Sequence, residues 1–573
     1  MNKHIRRRSP ESIESLNGAA LPSLLARLYA ARGVTSVQEL NLELGELLPP
    51  DTLTNATEAA HLLADAIAAQ RRMVVVGDFD ADGATSTALF ISAMRAFGAA
   101  HVDYLVPNRF EYGYGLTPEI VDLAARRDPD LIVTVDNGIA SVEGVQRASE
   151  LGIETLITDH HLPGATLPSA RLIVNPNQRG CTFGSKHLAG VGVIFYLMMA
   201  LRRALRERGA PGGEVNLGQF LDLVALGTVA DVVPLDRNNR ILVSAGLRRI
   251  RAGQSRPGLM ALLRYASRDF RSVVASDLGF AAGPRINAAG RLDDMSVGIE
   301  CLLAESDAVA DRLAGQLQQL NDERRAIERG MQEGAMQILA NLALDADGAP
   351  PVAITLYQGD WHQGVIGILA SRVKDRLHRP TIAFADGDEG ELKGSARSIQ
   401  GVHIRDVLDA VATRNPGLIT RFGGHAMAAG LTLPKANYDV FATAFVEEVE
   451  RQIEASQLEG IIESDGELQP EDFDLSVAET LRYAGPWGQH FPEPLFDGRF
   501  NLVSQRLVGE RHLKLVLSPD GGATLVDGIA FNVDLDHWPA PDVAEVEVAY
   551  RLDVNEFRGQ RSVQMMVEQL VPA

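Results

Sequence analysis

From about residue 57 the chain alternates between two hydrophobic periods. TEAAHLLADAIAAQ (57–70), ATSTALFISAMRAFG (84–98), TPEIVDLAARR (117–127) and SVEGVQRASELG (141–152) carry apolar residues at the spacing of amphipathic helices. Pro118 falls near the first turn of its helix, where a missing N–H is harmless. Between them stand short runs that are apolar nearly throughout: MVVVGD (73–78), AHVDYLVP (100–107), LIVTVD (131–136), TLITD (155–159) and ARLIVNP (170–176). Strands without polar alternation have to be covered on both faces. The pattern therefore predicts an α/β fold with a parallel sheet, right-handed crossovers and every strand's carboxyl end at one edge.

The rest of the chain changes character three times. Residues 1–50 read as a helical N-terminal segment, with ESIESLNGAALPSLLARLYAARG at helical spacing, and the first α/β unit occupies 51–300. Residues 301–345 read as connecting helices, with Leu313, Leu317 and Leu320 on one stripe. The stripe is too short for a coiled coil and suits a long spacer helix between lobes. After DADGAP, residues 346–455 form a second α/β unit containing GSARSI and RFGGHAMAAGLTL. Residues 456–573 hold five strand-like runs and one helix-like insert. Val546, Val548, Tyr550 and Leu552 alternate with Glu545, Glu547, Ala549 and Arg551, the period of a half-buried strand. An OB-fold barrel, a frequent binder of single strands, fits this pattern, with an SH3-like barrel or small sandwich as the alternative.

Composition narrows the class. The chain has 573 residues, 46% hydrophobic and 23% charged, as in a globular protein of several domains. Two cysteines, Cys181 and Cys301, offer neither a disulfide framework nor a CxxC zinc pattern, which suits a reducing cytoplasm. The basic N-terminus has no apolar segment behind it, and no apolar run reaches membrane-spanning length, so neither a signal peptide nor a membrane partner is expected. The net charge of −21 argues against nucleic acid when read alone. Carboxylates that hold metal ions inflate that figure, so any polyanion groove has to come from local Arg and Lys.

The chemistry gathers at the sheet's carboxyl edge. MVVVGDFDADG releases Asp78, Asp80 and Asp82, which share one face if the segment stays extended. Asp136 ends LIVTVD. Asp159, His160 and His161 end TLITD. One Asp at a strand end is usually a helix cap. Three strands delivering Asp or His to one crevice point to a metal site instead. Carboxylates with one imidazole suit Mn²⁺ or Mg²⁺ better than zinc, and their excess suggests two ions placed for in-line attack at phosphorus.

GDFDADG, VDNG at Asp136–Gly138 and TDHH at Thr158–His161 resemble the first three motifs of the DHH phosphoesterase superfamily, and GTVADVVPL supplies a fourth with Asp231. The resemblance implies metal ligation by Asp80, Asp82, Asp136, His160 and Asp231, with Asp78 as a further ligand or supporting group. It places His161 on the scissile phosphate. GSARS and RFGGHAM resemble the DHHA1 domain that follows DHH domains. NRFEYGYGL (108–116), GPRINAAGRL (283–292) and AGPWGQHFPEPLF resemble segments of the RecJ family, which are single-strand-specific 5′→3′ exonucleases. That likeness covers nearly the whole chain. It implies single-stranded DNA as substrate, 5′-mononucleotides as product, a monomer, and single-strand-binding protein and a RecQ-type helicase as partners. It also implies a 5′-end site built from Arg109, Tyr114, Arg285, Ser395, Arg397, Gly424 and His425. The superfamily's pyrophosphatases and short-oligonucleotide or cyclic-dinucleotide phosphodiesterases are the rival enzymes, typically built without the terminal β domain. A non-catalytic DNA scaffold would gain nothing from so many acids.

Overall fold

The computed structural model describes residues 3–9, 16, 21–107, 112, 115–340, 350–388, 390–535 and 537–573. The first sheet has five parallel strands in the order Val102–Leu105, Met73–Gly77, Leu131–Val135, Glu154–Thr158 and Leu172–Val174. Its alternate residues feed two separate cores. Val75, Val133 and Leu156 pack with helices Ala56–Ala68, Ala81–Ala96, Gly190–Glu207 and Leu221–Ala230. Val74, Val76, Ile132 and Ile157 pack with Ile120, Val121 and Val145 of helices Pro118–Ala125 and Val142–Glu150. This two-sided burial is why the strands are apolar on both faces.

One helix, Asp307–Ala340, joins the two lobes. Its Leu313 and Leu317 belong to the core of the first lobe, and its Met331 and Ala335 to a core of the second. Its length, about 50 Å, makes it a rigid spacer anchored at both ends. The second lobe holds a mixed sheet in the order Arg421–Gly424, Ala428–Pro434, Glu391–Arg397, Thr381–Asp386 and Ile354–Tyr357. Only its last pair is parallel.

The terminal strands close a barrel in the order Phe496–Val508, His512–Ser518, Val526–Ala530, Gln560–Pro572, Glu545–Phe557. Val526–Ala530 and Gln560–Pro572 run parallel, which is the strand order of an OB-fold rather than of a sandwich. Val546, Val548, Tyr550 and Leu552 face inward as the alternation predicts. Ala549 is buried too, because the pairing register shifts between Ala549 and Tyr550. The helix-like insert is not found among the described residues of 531–544. The helix packed on the barrel is Leu475–Tyr483, which precedes it.

The N-terminal segment departs further from expectation. Helix Ser23–Ala30 is present, but His4–Arg7 is a strand, paired in parallel with Ile461–Ser464. Four residues carry no readable period, and their partner lies far along the chain. The start of the chain is thereby strapped to the barrel domain. Arg32 completes the strap. Its guanidinium donates to both carboxylate oxygens of Asp465, at 3.0 and 2.9 Å, and to the Leu28 and Pro492 carbonyls. Both side chains of this pair are 1% exposed.

Removing one partner of a buried pair strands the other charge. Arg32→Ala should therefore destabilise the barrel end of the molecule by about 3–5 kcal/mol. Urea unfolding followed by Trp fluorescence checks this, since Trp487 lies under the Arg32 guanidinium; an unchanged midpoint would contradict it.

Candidate metal centre

The carboxyl edge of the first sheet delivers its residues as expected, but the local geometry differs from simple strand alternation. The strand stops at Gly77, and Asp80 is the N-cap of helix Ala81–Ala96. Its Oδ1 accepts from the Asp82 and Gly83 amides at 2.9 and 3.0 Å. Asp82 already lies in the first helical turn. The three carboxylates converge because a tight strand-to-helix turn brings them together. A Cβ on Gly83 would sit 2.5 Å from the Asp78 carbonyl oxygen, so the turn closes only with glycine there. Asp136 follows its strand with φ +63°, a left-handed conformation that Asp tolerates and that turns it across the edge. Gly190 makes room: a Cβ there would lie 2.6 Å from that of Asp136. Asp231 caps the carboxyl end of Leu221–Ala230.

Two three-residue groups result, Asp78–Asp80–Asp136 and Asp82–His160–Asp231, and Asp136 also groups with His160 and His161. His160 Nε2 lies 3.1 Å from Asp136 Oδ1, 3.5 Å from Asp231 Oδ2 and 4.0 Å from Asp82 Oδ2. That nitrogen is enclosed and makes no hydrogen bond. A buried imidazole nitrogen aimed among three carboxylates is the donor set of a divalent cation site, and the second group offers a second site beside it.

The electrostatics agree. Burial, then the charge of Asp80, pushes Asp82 up to about 7, even though it accepts from the Gly190 and Val191 amides at 2.6 and 3.0 Å. Asp136 and Asp231 are pushed well above the usual carboxylate range by burial and by the charges of Asp82, Asp80 and Asp78. Burial and the neighbouring His161 push His160 down to about 4, leaving it neutral as a ligand must be. A cation inverts this balance by stabilising every ionised carboxylate around it.

Asp159, absent from the sequence-based set, organises the two histidines. It is 1% exposed and accepts from the His160 amide, the His161 amide, His161 Nδ1 and the Ile139 amide. Burial works to lower His161, but the Asp159 hydrogen bond and the charges of Asp159, Asp78 and Asp80 outweigh it and push His161 up to about 9. The signal was present in the sequence, since an Asp followed by two residues with free amides forms its own turn.

GPRINAAGRL packs directly on the metal loop. Asn287 Oδ1 accepts from the Ala81 amide at 2.7 Å, and a Cβ on Gly290 would sit 1.9 Å from the Phe79 carbonyl oxygen. Arg285 from this segment is not in the cleft. It is 5% exposed and donates to Gln318 Oε1, the Ala281 carbonyl and the Tyr265 carbonyl. It braces helix Gly283–Leu292 against helix Asp307–Ala340. Arg291, nearly two turns later, reaches the second lobe and donates to the Gly364 carbonyl at 3.0 Å. Both arginines are equally visible in the sequence, and only the helix phase separates them.

Ser395 and Arg397 share strand Glu391–Arg397, with Arg397 Nη1 donating to Ser395 Oγ at 3.1 Å. They lie against the first turn of helix Ile366–Leu377, where a Cβ on Gly367 would come within 2.8 Å of both. The structure thus brings Arg291, Ser395 and Arg397 to one helix start. Gly424, at φ +142°, belongs to the hairpin that presents His425. The His425 ring lies 6.1 Å from that of His161, across the lobes. Arg109 and Tyr114 lie outside the described residues.

Comparison with known proteins accords with this geometry. Residues 72–228 match the DHH family, N-terminal domain, residues 349–455 the DHHA1 domain and residues 464–569 the RecJ OB domain. The single-stranded-DNA-specific exonuclease RecJ of Dickeya dadantii is 59% identical over 557 residues, 96% of each chain. The chain belongs to the RecJ family. The crystal structure of RecJ from Thermus thermophilus in complex with Mn²⁺ superposes with a TM-score of 0.80 at 31% identity, covering 99% of this chain and 79% of that one. The Mg²⁺ complex from the same organism gives 0.76 at 28% identity, covering 100% and 78%. Within the RecJ family frame, GPRINAAGRL acts as a support beneath the metal loop.

Asn287→Ala removes a hydrogen bond that orients this loop and replaces none of the candidate ligands. It should weaken Mn²⁺ binding by roughly 10–100-fold with the fold intact. Calorimetric titration beside far-UV circular dichroism checks this, and wild-type affinity would contradict it.

Proposed function

We propose that this chain is a single-strand-specific 5′→3′ DNA exonuclease that uses two Mn²⁺ or Mg²⁺ ions and acts in DNA repair and recombination. The observation that carries the reading is the pair of adjacent ligand groups, Asp78–Asp80–Asp136 and Asp82–His160–Asp231, joined through Asp136 and His160. When bound there, the ions activate water and stabilise charge at phosphorus.

The chain's own residues do the rest. The six candidate ligands would hold the ions, and Asp136 and His160 tie the two groups together. Asp159 holds His161 by Nδ1, so Nε2 is the atom that serves a phosphate oxygen or gives a proton to the departing 3′-oxygen. Cleavage of the P–O3′ bond of the terminal nucleotide releases a 5′-mononucleotide and leaves a new 5′-phosphate on the strand. Ser395, Arg397 and the start of helix Ile366–Leu377 form an anion site, because helix amides and a planar guanidinium both favour phosphate. Arg291 approaches from the first lobe. This site holds the 5′-phosphate, with Arg109 and Tyr114 as further contacts and His425 facing His161. The OB barrel grips the strand beyond the cleft.

The family resemblance supports single-strand-binding protein and a RecQ-type helicase as partners, a monomeric state and a cytoplasmic location. Among the described residues no helix is long and apolar enough to cross a membrane.

The reading is tested with single strands bearing a 5′-phosphate or a 5′-hydroxyl. The wild type should degrade single strands from the 5′ end in Mn²⁺, spare duplex ends and stop in EDTA. Arg397→Ala should raise KM for phosphorylated strands and lose most of the preference for phosphate. One charge-assisted contact, on the order of 2 kcal/mol, corresponds to roughly thirtyfold. A mutant that keeps the wild-type preference would contradict the pocket, and hydrolysis persisting in EDTA would contradict the metal mechanism.

A further inference from the structure

The first lobe carries a second cavity, of about 350 Å³, at the end of helix Ala81–Ala96 opposite its metal-binding first turn. Ser92 and Arg95 line it from that helix, Arg249 from helix Arg237–Arg251, and Arg256 from the start of Pro257–Tyr265. Asp82 and Arg95 stand thirteen residues apart on one helix, so the cavity lies about 20 Å from the metal ligands. It is a separate site.

Its charge is unusual in a chain of net charge −21. Arg256 is neutralised by buried Asp222, whose Oδ2 lies 3.2 Å from Arg256 Nε. The guanidiniums of Arg95 and Arg249 have no ion pair or hydrogen bond among the described residues, and Arg249 Nε is enclosed with no acceptor. Two uncompensated forks therefore face a concave space that contains one opposing acid, Glu305. Arg249 is half-buried with its Nε unmet, Arg95 stands exposed at the rim, and two planar forks match the oxygens of a phosphate. The remaining wall includes Ala96, Phe220, Leu302 and Leu303, apolar surface suited to a sugar or base.

We infer that this cavity binds a phosphate-bearing small molecule of nucleotide size. Its volume holds one nucleotide, and Glu305 at its edge opposes continuation of a polyanion. The site stands on the cavity alone; naming a deoxynucleoside monophosphate as occupant rests on the exonuclease reading, whose product this would be. The ligand would act on the far end of the helix that carries Asp80 as its cap and Asp82 in its first turn.

Thymidine 5′-monophosphate is the probe, titrated in EDTA onto the Arg397→Ala protein so that the cleft pocket is disabled. The expected result is saturable binding of one molecule per chain, competed by inorganic phosphate and not by thymidine. Adding Arg95→Gln and Arg249→Gln should weaken it at least about tenfold. With Arg397 restored, the two Gln changes should leave the melting temperature and Mn²⁺-dependent hydrolysis of single strands unchanged. No binding to the Arg397→Ala protein, or binding indifferent to the Gln changes, would overturn the site. A long single strand that displaces the probe only when both arginines are present would make the cavity a strand contact and overturn it too. The titration reads the cavity whether or not the wild type hydrolyses DNA, so the two readings fail separately.

Discussion

Five carboxylates, those of Asp78, Asp80, Asp82, Asp136 and Asp231, gather at the edge of a buried sheet, the last three of them around the imidazole of His160. Two like charges about 4 Å apart repel by about 4 kcal/mol at an effective dielectric near 20. A few such pairs rival the whole reserve of a folded domain, about 5–15 kcal/mol. The arrangement persists only because rigid structure holds it and because cations offset it. The scaffold is accordingly overdetermined. Asp80 is tied to helix amides, Asp82 to the first turn of Gly190–Glu207, and Asp159 to four donors.

The same constraint explains where backbone must approach backbone. Gly83, Gly190 and Gly290 each sit where a Cβ would strike the metal loop or Asp136. They let three elements close around the carboxylates without side chains between them. The buried oxygens of Asp82 are left to backbone amides, while Asp231 and His161 stay partly open to solvent. The spacer helix then carries the second lobe, so that His425 stands opposite His161 and Arg291 meets the start of helix Ile366–Leu377.

Much of this was legible in the sequence because it is periodic. Apolar strands, amphipathic helices and acids at strand ends are local signals, and the five strands and the six candidate ligands all fall on one edge. What escaped was set by distant packing or by helix phase. His4–Arg7 becomes a strand only because Ile461–Ser464 offers an edge. Arg285 and Arg291 share a helix, yet one is spent on Gln318 and the other faces the cleft. Asp78, Asp80 and Asp82 alternate in sequence, but the strand ends at Gly77 and a helix begins at Ala81, so a turn and not strand pleating brings them together.

The cluster costs stability when empty and stabilises the fold when loaded. Asp136→Asn tests it directly, since Asn tolerates the left-handed backbone at φ +63° and removes one charge. Melting temperatures of the wild type and the variant should be measured in EDTA and across a Mn²⁺ titration. The variant should melt a few degrees above the wild type in EDTA, the shift that about 1–2 kcal/mol produces. Mn²⁺ should raise the wild type much more than the variant. A variant that melts below the wild type in EDTA and gains equally from Mn²⁺ would contradict it.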